Sequence, residues 1–455
     1  MPLETHPVTR PLWIDVRRVL TLAIPVALAE LGWMSMGVVD TIMVGRLGPA
    51  AIGAIGVGSS VFYSFAIFGI GVLLGLDTLV SQAFGAGDRE DCHHSLAQGV
   101  YIALLLAPPL TCFFALLRPI FYALGINREV SALAGPFIAT LGLSTLPLLL
   151  YGAFRRYLQA LGHVRPVMFA LISANLINWF FNWVLIYGHW GFPALGVVGS
   201  ALSTCLARVY MAVVLAFFIW WFERDLEPGF RTIPRAPDWR RIALLFRIGV
   251  PAATQILLEI GAFGAAAVLA GRLAAVALAA HQIALYCAAV SFMVPLGISS
   301  AAAVSVGQAI GRREPFVARR CGFIAIALAC GFMCCSAVTF LLIPKTLLRI
   351  YTSDTRVILI GTGLLAWAAL FQLFDGIQTV ATGALRGLGN TRVAMLVNLG
   401  GYWFFGLPIG YLLCFYYGRG IYGLWCGLTL ALIVIALILL YFWQQYSRRI
   451  LIILD

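Results

Sequence analysis

Residues 255–273 read QILLEIGAFGAAAVLAGRL, an almost wholly apolar run that holds one carboxylate, Glu259, and no basic residue before Arg272. A helix needs roughly 20 predominantly apolar residues to cross the hydrocarbon core of a bilayer. The residues of this run do not alternate between apolar and polar, as the strands of a membrane barrel do. The stretch therefore predicts a membrane-spanning helix with an ionisable group inside it.

The composition of the whole chain agrees with this interpretation. Of its 455 residues, 62% are hydrophobic and only 11% are charged, whereas a soluble protein of this length has about 25% charged residues. The chain has too little polar surface to face water, which predicts an integral membrane protein. It contains no GxxxxGK[ST] loop, which excludes direct ATP hydrolysis. We expect no enzymatic activity and no cofactor.

Runs long enough to span a bilayer recur along the chain and predict an all-α integral membrane protein with 12 transmembrane helices. The expected helices begin near Val19, Ile52, Val100, Leu133, Val167, Leu195, Ile242, Val276, Cys321, Val357, Val393 and Ile421.

The basic residues indicate how these helices are oriented. Most of the 30 Lys and Arg residues lie in the gaps on the side of the two termini, which the positive-inside rule assigns to the cytoplasm. We expect a multi-pass protein of the cell inner (plasma) membrane with both termini cytoplasmic. The net charge of +12 comes from these short gaps and not from a basic stripe with interleaved aromatics, so nucleic acid is excluded as a partner.

The two halves of the chain carry the same motifs in the same order. Pro25 corresponds to Pro251, and GRL at Gly45, QAFG at Gln82 and LGHVR at Leu161 correspond to GRL at Gly271, QAIG at Gln308 and LGNTR at Leu388. This repeat predicts two pseudo-symmetric six-helix lobes, residues 1–222 and 242–455, joined by a cytoplasmic linker, residues 223–241. Two parallel six-helix repeats create a cleft near the midplane that suits alternating access.

Five acidic residues fall within the predicted spans: Glu30, Asp40, Asp77, Glu259 and Asp375. A charge at the bilayer centre costs about 2.5–3.5 kcal/mol on insertion scales. Arg208 is the single base that we place within a span, so ion pairs cannot neutralise all five. Such carboxylates take up protons, because desolvation disfavours the charged form, or they bind cations in a hydrated cavity. The pattern predicts coupling to H⁺ or Na⁺ and no other metal.

Polar side chains at helical spacing accompany these acids. One face of the tenth span holds Gln372, Asp375, Gln378, Thr379 and Thr382, Gln255 precedes Glu259 by one turn, and the fifth span stacks Asn175, Asn178 and Asn182. Such stripes also tie membrane helices together, which is the alternative for Asn175 and Gln378. The structural alternatives for the other acids are a place near a helix end for Glu30 and neutralisation of Arg89 for Asp77. For His281 we expect a hydrogen-bonded packing role.

The sequence resembles the multidrug and toxic compound extrusion (MATE) family, in particular its NorM-like bacterial members, over essentially its whole length. The resemblance is carried by VVDTIMVGRLG (38–48), NWFFNWVLIYG (178–188), EIGAFGAAAVLA (259–270) with AAHQIAL (279–285), and FQLFDGIQTVATGALRGLG (371–389). It implies export of organic cations, such as drugs, by antiport against inward H⁺ or Na⁺.

The resemblance also implies two cation sites. It places an amino-terminal site at Asp40, Asn178, Asn182 and Thr204 and a carboxy-terminal site at Glu259 and Asp375. Further candidates for contacts with substrate or cation are Gln255, Gln372, Gln378, Asn175, Asp77 and Glu30. Some NorM-like members have Tyr where this chain has Phe371, and we favour protons because that hydroxyl is missing. Relatives of the archaeal type have an acid in place of Asn182.

One alternative function is a flippase of the same superfamily that moves lipid-linked oligosaccharides or peptidoglycan precursors. It would handle an anionic diphosphate and would require basic residues in the cleft, whereas the candidates here are acidic. A membrane receptor or scaffold would not need carboxylates inside its spans. The expected partners are therefore small organic cations and membrane lipid, and we expect a monomer.

Overall fold

Helices make up the regular structure of this protein, as the apolar runs predict. The computed structural model describes residues 11–117, 128–224 and 236–454, and these contain no strand. Eleven helices are long and apolar enough to cross a membrane, and a twelfth span forms if Arg128–Gly142 and Thr145–Ala160, bent by 49° at their junction, are counted together. The prediction of an all-α protein with 12 spans is confirmed.

The spans are numbered α1 to α12 in chain order. The first six are α1 (Leu12–Gly45), α2 (Pro49–Ala86), α3 (Arg89–Leu116), α4 (Arg128–Gly142 and Thr145–Ala160), α5 (Val164–Tyr187) and α6 (Val197–Glu223). The second six are α7 (Trp239–Ala270), α8 (Ala275–Gly311), α9 (Pro315–Leu342), α10 (Thr355–Gly387), α11 (Thr391–Tyr416) and α12 (Ile421–Leu454). A short helix, Pro344–Arg349, lies between α9 and α10. Most of the predicted linker falls outside the described residues.

Local sequence signals fix several helix ends. The carboxylate of Asp88 accepts from the backbone N–H of Asp91 at the start of α3, and Asp238 and Asp354 cap α7 and α10 in the same way. These caps satisfy N–H groups that have no partner inside the helix. At the other ends, Gly87 and Gly188 adopt left-handed backbone angles, φ 80° and 77°, after α2 and α5. Glycine reaches this conformation without the steric cost that a Cβ imposes.

The first half of α1 packs in the second lobe, and the first half of the equivalent helix α7 packs in the first lobe. Val19 and Val26 of α1 belong to the hydrophobic cluster of the second lobe, whereas Leu245 and Ala253 of α7 belong to a cluster of the first. Since α1 and α7 are equivalent helices of the repeat, the exchange is reciprocal. It places the outer halves of α1 and α7, which carry Asp40 and Glu259, beyond the region where the lobes interpenetrate.

At one end of the helix bundle, the backbone of the first lobe lies directly against the backbone of the second lobe. A Cβ at Gly85 would lie 2.2 Å from the carbonyl oxygen of Gln308, and a Cβ at Gly311 would lie 2.0 Å from that of Gln82. Gly85 and Gly311 end the two copies of the repeated motif, so each copy lies against its own equivalent. We call this contact, between Gly75–Ala86 of α2 and residues 299–311 of α8, the interlobe seam.

The glutamines of the same motif hold the seam with hydrogen bonds. Gln82 donates from Nε2 to the carbonyl oxygen of Gly387 at 2.9 Å, and Gln308 donates from Nε2 to that of Ala160 at 2.7 Å. Gly387 and Ala160 occupy corresponding places at the ends of α10 and α4. The two bonds are therefore related by the internal repeat, and together they hold the two lobes in contact at this end.

Candidate functional site

Two carboxylates of the second lobe lie side by side on neighbouring helices. Glu259 is half-buried on α7, and Asp375 is 6% exposed on α10. Gln378 donates from Nε2 both to Glu259 Oε1 at 3.0 Å and to Asp375 Oδ1 at 3.2 Å. Gln255, one turn before Glu259, donates to its Oε2 at 2.8 Å. Helical spacing predicts the contacts within each helix, and the structure adds the bridge between the helices.

The partners of this pair determine what it can bind. Both carboxylates accept hydrogen bonds from neutral amides, and within the described residues no basic side chain forms an ion pair with Glu259 or Asp375. At the separation of at most about 6 Å that the shared amide allows, two ionised carboxylates repel each other by about 3 kcal/mol at an effective dielectric constant of about 20. A proton or a cation between them removes this repulsion, so the pair is suited to hold either.

The polar face of α10 continues beyond the carboxylate. Gln372 is 1% exposed, and neither its amide oxygen nor its amide nitrogen has a hydrogen-bond partner among the described residues. The same holds for Gln378 Oε1 and for Thr382 Oγ1. Buried polar groups are normally hydrogen-bonded to protein or to ordered water. These atoms therefore offer places for water or for a bound molecule next to Asp375.

Tyr402 is a member of this region that sequence reasoning missed. It is fully buried on α11 within a π-helical turn, Leu399–Gly406, and its hydroxyl has no partner among the described residues. Its ring centroid lies 6.0 Å from that of Phe263, one turn after Glu259. π-Helical turns are frequent at functional sites. A single Tyr among the aromatics of an apolar run gives no pattern that would identify it.

Phe371 borders this cluster with an apolar ring. It is buried one turn before Asp375, and its ring centroid lies 5.4 Å from that of Trp425 on α12. Trp425 donates from Nε1 to His281 Nδ1 at 3.0 Å, so His281 is a hydrogen-bonded residue of the packed interior. Within the described residues, no group of three or more His, Cys, Asp or Glu side chains is placed to hold a metal ion.

The first lobe contains a second acidic cluster. Asp40 on α1 accepts from Asn182 Nδ2 at 2.6 Å and from Thr204 Oγ1 at 3.0 Å. Asn182 also donates to Asn178 Oδ1 at 3.1 Å, and both asparagines are fully buried. The structure thus brings together, from α1, α5 and α6, the four residues that the sequence analysis groups as an amino-terminal site.

Arg208 lies one turn after Thr204, and it forms no ion pair with a carboxylate of the described segments. It donates to Ser144 Oγ at 2.7 Å and to the hydroxyl of Tyr63 at 3.1 Å, and its guanidinium lies 4.6 Å from the ring centroid of Phe62. Asp40 is therefore left with neutral hydrogen-bond donors, as Glu259 and Asp375 are.

The expectation that Arg208 is the single basic residue within the spans is wrong. The second segment of α4 continues to Ala160, which buries Arg155 and Arg156, and α10 continues to Gly387, which buries Arg386. The apolar runs predict polar gaps for these arginines, because each predicted span ends where its apolar run ends.

These arginines neutralise two of the five acids. Glu30 forms a buried ion pair with Arg155, and Asp77 lies 3.5 Å from Arg156 and 3.4 Å from Arg386. Glu30 and Asp77 are thus paired separately from both clusters. Because Arg386 belongs to the second lobe, Asp77 contributes an ionic contact to the interlobe seam.

Asn175 is also separate from the Asp40 cluster. Its Nδ2 donates to the carbonyl oxygens of Gly32 on α1 and Leu171 on its own helix, each at 2.9 Å. These bonds tie α5 to α1, which is the structural alternative that the sequence analysis gives for this residue.

Comparison with known proteins identifies the family of the chain. The family model described as MatE matches residues 25–184 and 251–412, one range in each lobe. The chain belongs to the MatE family. The resemblance to MATE proteins is thereby confirmed, and the two ranges coincide with the internal repeat.

Curated MatE relatives align with nearly the whole chain. A probable multidrug resistance protein NorM from Mesorhizobium japonicum is 34% identical over 446 residues, which cover 95% of this chain and 94% of the relative. A protein of the same description from Bradyrhizobium diazoefficiens is 35% identical over 438 residues, with 94% and 93% covered.

Solved structures of MATE transporters share the fold. The eukaryotic MATE transporter AtDTX14 superposes with a TM-score of 0.87 at 21% identity, covering 98% of this chain and 100% of that one. An outward-facing multidrug resistance MATE family transporter of the MOP superfamily superposes with a TM-score of 0.86 at 18% identity, covering 98% and 99%. This MatE chain is a multi-pass membrane protein with the MATE architecture.

Proposed function

We propose that this chain is a multidrug efflux transporter that exports organic cations in exchange for inward protons. The observation that carries the proposal is the Glu259–Asp375 pair, two carboxylates that are bridged by one amide and have no basic partner in the part of the chain that the structure describes. Such a pair binds an organic cation when it is ionised and releases that cation when it is protonated. The names of the NorM relatives support multidrug substrates.

The transport cycle uses the same carboxylates for both ligands. An organic cation loads at ionised Glu259 and Asp375 from inside, the lobes rearrange, and a proton entering from outside neutralises the pair and displaces the drug. Coupling of this kind requires each ligand to have a different affinity for the two conformations. An inward positive charge contributes about 2.3 kcal/mol per 100 mV of membrane potential.

We favour protons over sodium because of one residue near the pair. Phe371, one turn before Asp375, has no hydroxyl oxygen to offer as a ligand where some NorM-like members have Tyr. The Asp40 cluster, with Asn178, Asn182 and Thr204, supplies a second place where a proton or Na⁺ can bind in the other lobe.

The acidic clusters also argue against the flippase alternative. An anionic diphosphate would be repelled by Asp40, Glu259 and Asp375, and the buried Arg208 is occupied by hydroxyl groups and aromatic rings.

The gaps that are rich in arginine place both termini in the cytoplasm, in a protein of the cell inner membrane. The protein acts as a monomer, because each lobe carries a complete cluster of its own.

Transport by purified protein in proteoliposomes tests the proposal. We expect efflux of a fluorescent organic cation that depends on an inward proton gradient and persists without sodium. Glu259→Gln and Asp375→Asn each remove one ionisable carboxylate from the pair and abolish proton-coupled efflux. Glu90→Gln is the matched control, because Glu90 is exposed at the start of α3.

Several results would overturn parts of this proposal. Unimpaired coupled efflux by Glu259→Gln and Asp375→Asn would remove the pair from the mechanism. Efflux that requires a sodium gradient and ignores pH would replace the proton with Na⁺. Movement of a lipid-linked sugar without any coupled ion flux would favour the flippase.

A further inference from the structure

A pocket of about 600 Å³ lies apart from both carboxylate clusters. It is formed by the first turns of α1, the first turns of α5 and the end of α6. Arg18, on the same turns of α1, bonds to Gln308, so the pocket is at the end of the bundle that holds the interlobe seam. Three helix ends meet here, close to where the apolar runs of α1 and α5 begin, so we expect headgroups and acyl chains to lie within reach of the pocket.

The charge of the pocket comes from two arginines. Arg17 on α1 and Arg165 on α5 line it, both are exposed, and neither forms an ion pair within the described residues. Among the described residues, no acidic side chain lines the pocket. Guanidinium groups match phosphate oxygens in geometry and charge. The two arginines of the pocket can therefore bind a phosphate, and their positive charge would repel an organic cation.

The rest of the lining is apolar or aromatic. Trp13 and Ile24 of α1 line the pocket and are 65% and 55% exposed. A tryptophan at a helix end is typical of the membrane interface. Such walls would not attract a small soluble anion, but they fit the glycerol backbone and upper acyl chains of a lipid.

His163 forms a neutral wall of the same pocket. Its ring stacks on Phe222 with centroids 4.4 Å apart and an interplanar angle of 7°. Burial lowers the pKa of His163, which precedes α5 at the membrane edge, so its ring is uncharged at neutral pH. The positive charge that faces a ligand at neutral pH is then that of the two arginines.

We propose that this pocket binds an anionic phospholipid of the bilayer, with its phosphate held by Arg17 and Arg165 and an acyl chain lying along Ile24. Basic pockets between transmembrane helices on the cytoplasmic side recognise anionic headgroups in this way. The volume of the pocket falls within the range of about 300–1,000 Å³ that is typical of small-molecule sites. This site is independent of the carboxylate chemistry proposed above, and α1 connects it to the seam.

Native mass spectrometry of the full chain tests the proposal. The protein is incubated with an equimolar mixture of phosphatidylglycerol and phosphatidylcholine, and bound lipid is counted. We expect selective retention of phosphatidylglycerol by the wild type. The double variant Arg17→Gln/Arg165→Gln should bind it about 30-fold more weakly, the factor expected for two arginines near an anionic surface.

Two further variants separate the pocket from its charge. Arg448→Gln/Arg449→Gln removes the same charge from two exposed arginines at the end of α12 and should leave retention unchanged. Thr21→Trp fills the pocket, which exposed Thr21 lines, without removing an arginine, and should lower retention. An equal loss of phosphatidylglycerol retention in both double variants would show that the arginines attract the lipid only through their general positive charge. Full retention by Thr21→Trp or by Arg17→Gln/Arg165→Gln would refute the site.

Discussion

Replacing Gly311 with alanine tests whether the interlobe seam closes one end of the cleft. The added methyl group would lie 2.0 Å from the carbonyl oxygen of Gln82, where ordinary van der Waals contact begins at 3.4 Å. The obstacle is backbone, which cannot rotate away as a side chain can. The lobes must therefore separate at the seam to accept the methyl group.

The cost of this clash can be estimated. Overpacking by a methyl group costs about 1–3 kcal/mol. Because 1.4 kcal/mol corresponds to a factor of about ten, the ratio of closed to open molecules at the seam should fall about 5- to 150-fold. Gly85→Ala should act similarly, since its Cβ would lie 2.2 Å from the carbonyl oxygen of Gln308. Gly264→Ala is the matched control, because nothing lies within 4 Å of a Cβ at that position.

Double electron–electron resonance (DEER) spectroscopy, which measures the distance between two spin labels, detects this opening. Glu90 and Arg313 are exposed, follow the seam on either side of the cleft, and belong to different lobes. After replacement of the exposed Cys112, Cys334 and Cys335, labels at these two positions should give one short distance in the wild type. A second, longer distance should appear in Gly311→Ala.

Two results would refute this reasoning. A folded Gly311→Ala protein with the distance distribution of the wild type would show that the seam accepts the methyl group at no cost. An equal shift in Gly264→Ala would show that added bulk anywhere opens the cleft.

Three further predictions concern buried polar groups. Glu30→Gln leaves Arg155 buried without its carboxylate, so we expect a loss of about 3–5 kcal/mol in stability and a lower melting temperature in detergent than for Glu90→Gln; equal melting temperatures would disprove it. Asn182→Asp places a second carboxylate beside Asp40, so sodium should change tryptophan fluorescence more than in the wild type, and no change would contradict us. Trp425→Phe removes the donor to His281 and should cost at least about 1–3 kcal/mol in a denaturation assay, whereas unaltered stability would show that the bond is dispensable.

The spans could be predicted because a bilayer forces backbone hydrogen bonds inside each segment. The ends of the spans could not be predicted as well. α1 begins at Leu12, about two turns before the apolar run near Val19, because the helix continues through Asp15, Arg17 and Arg18, which interrupt the apolar run. The place of Arg155 and Arg156 inside a helix could not be predicted for the same reason, since the apolar run of α4 ends before the helix does.

The candidate clusters were predictable where one helix supplies the contact. Gln255 with Glu259, and Asp375 with Gln378, follow from spacing of four and three residues. The bridge from Gln378 to Glu259 joins α10 to α7, and such a contact depends on packing between distant parts of the chain. The ion pair between Asp77 and Arg386 cannot be predicted from residue spacing for the same reason, because Arg386 belongs to the other lobe.

The hydrogen bonds of the seam end on main-chain carbonyls, those of Gly387 and Ala160, which amino acids of every type supply. The two bonds therefore depend on the side chains of Gln82 and Gln308 and not on the side chains at the acceptor positions, although Gly387 has no room for one, because a Cβ there would lie 2.5 Å from the carbonyl oxygen of Ala303. A chimera that combines the first half of this protein with the second half of a distant homologue should therefore assemble only when it keeps both glutamines, Gly85, Gly311 and Gly387, together with the ion pair of Asp77 with Arg386.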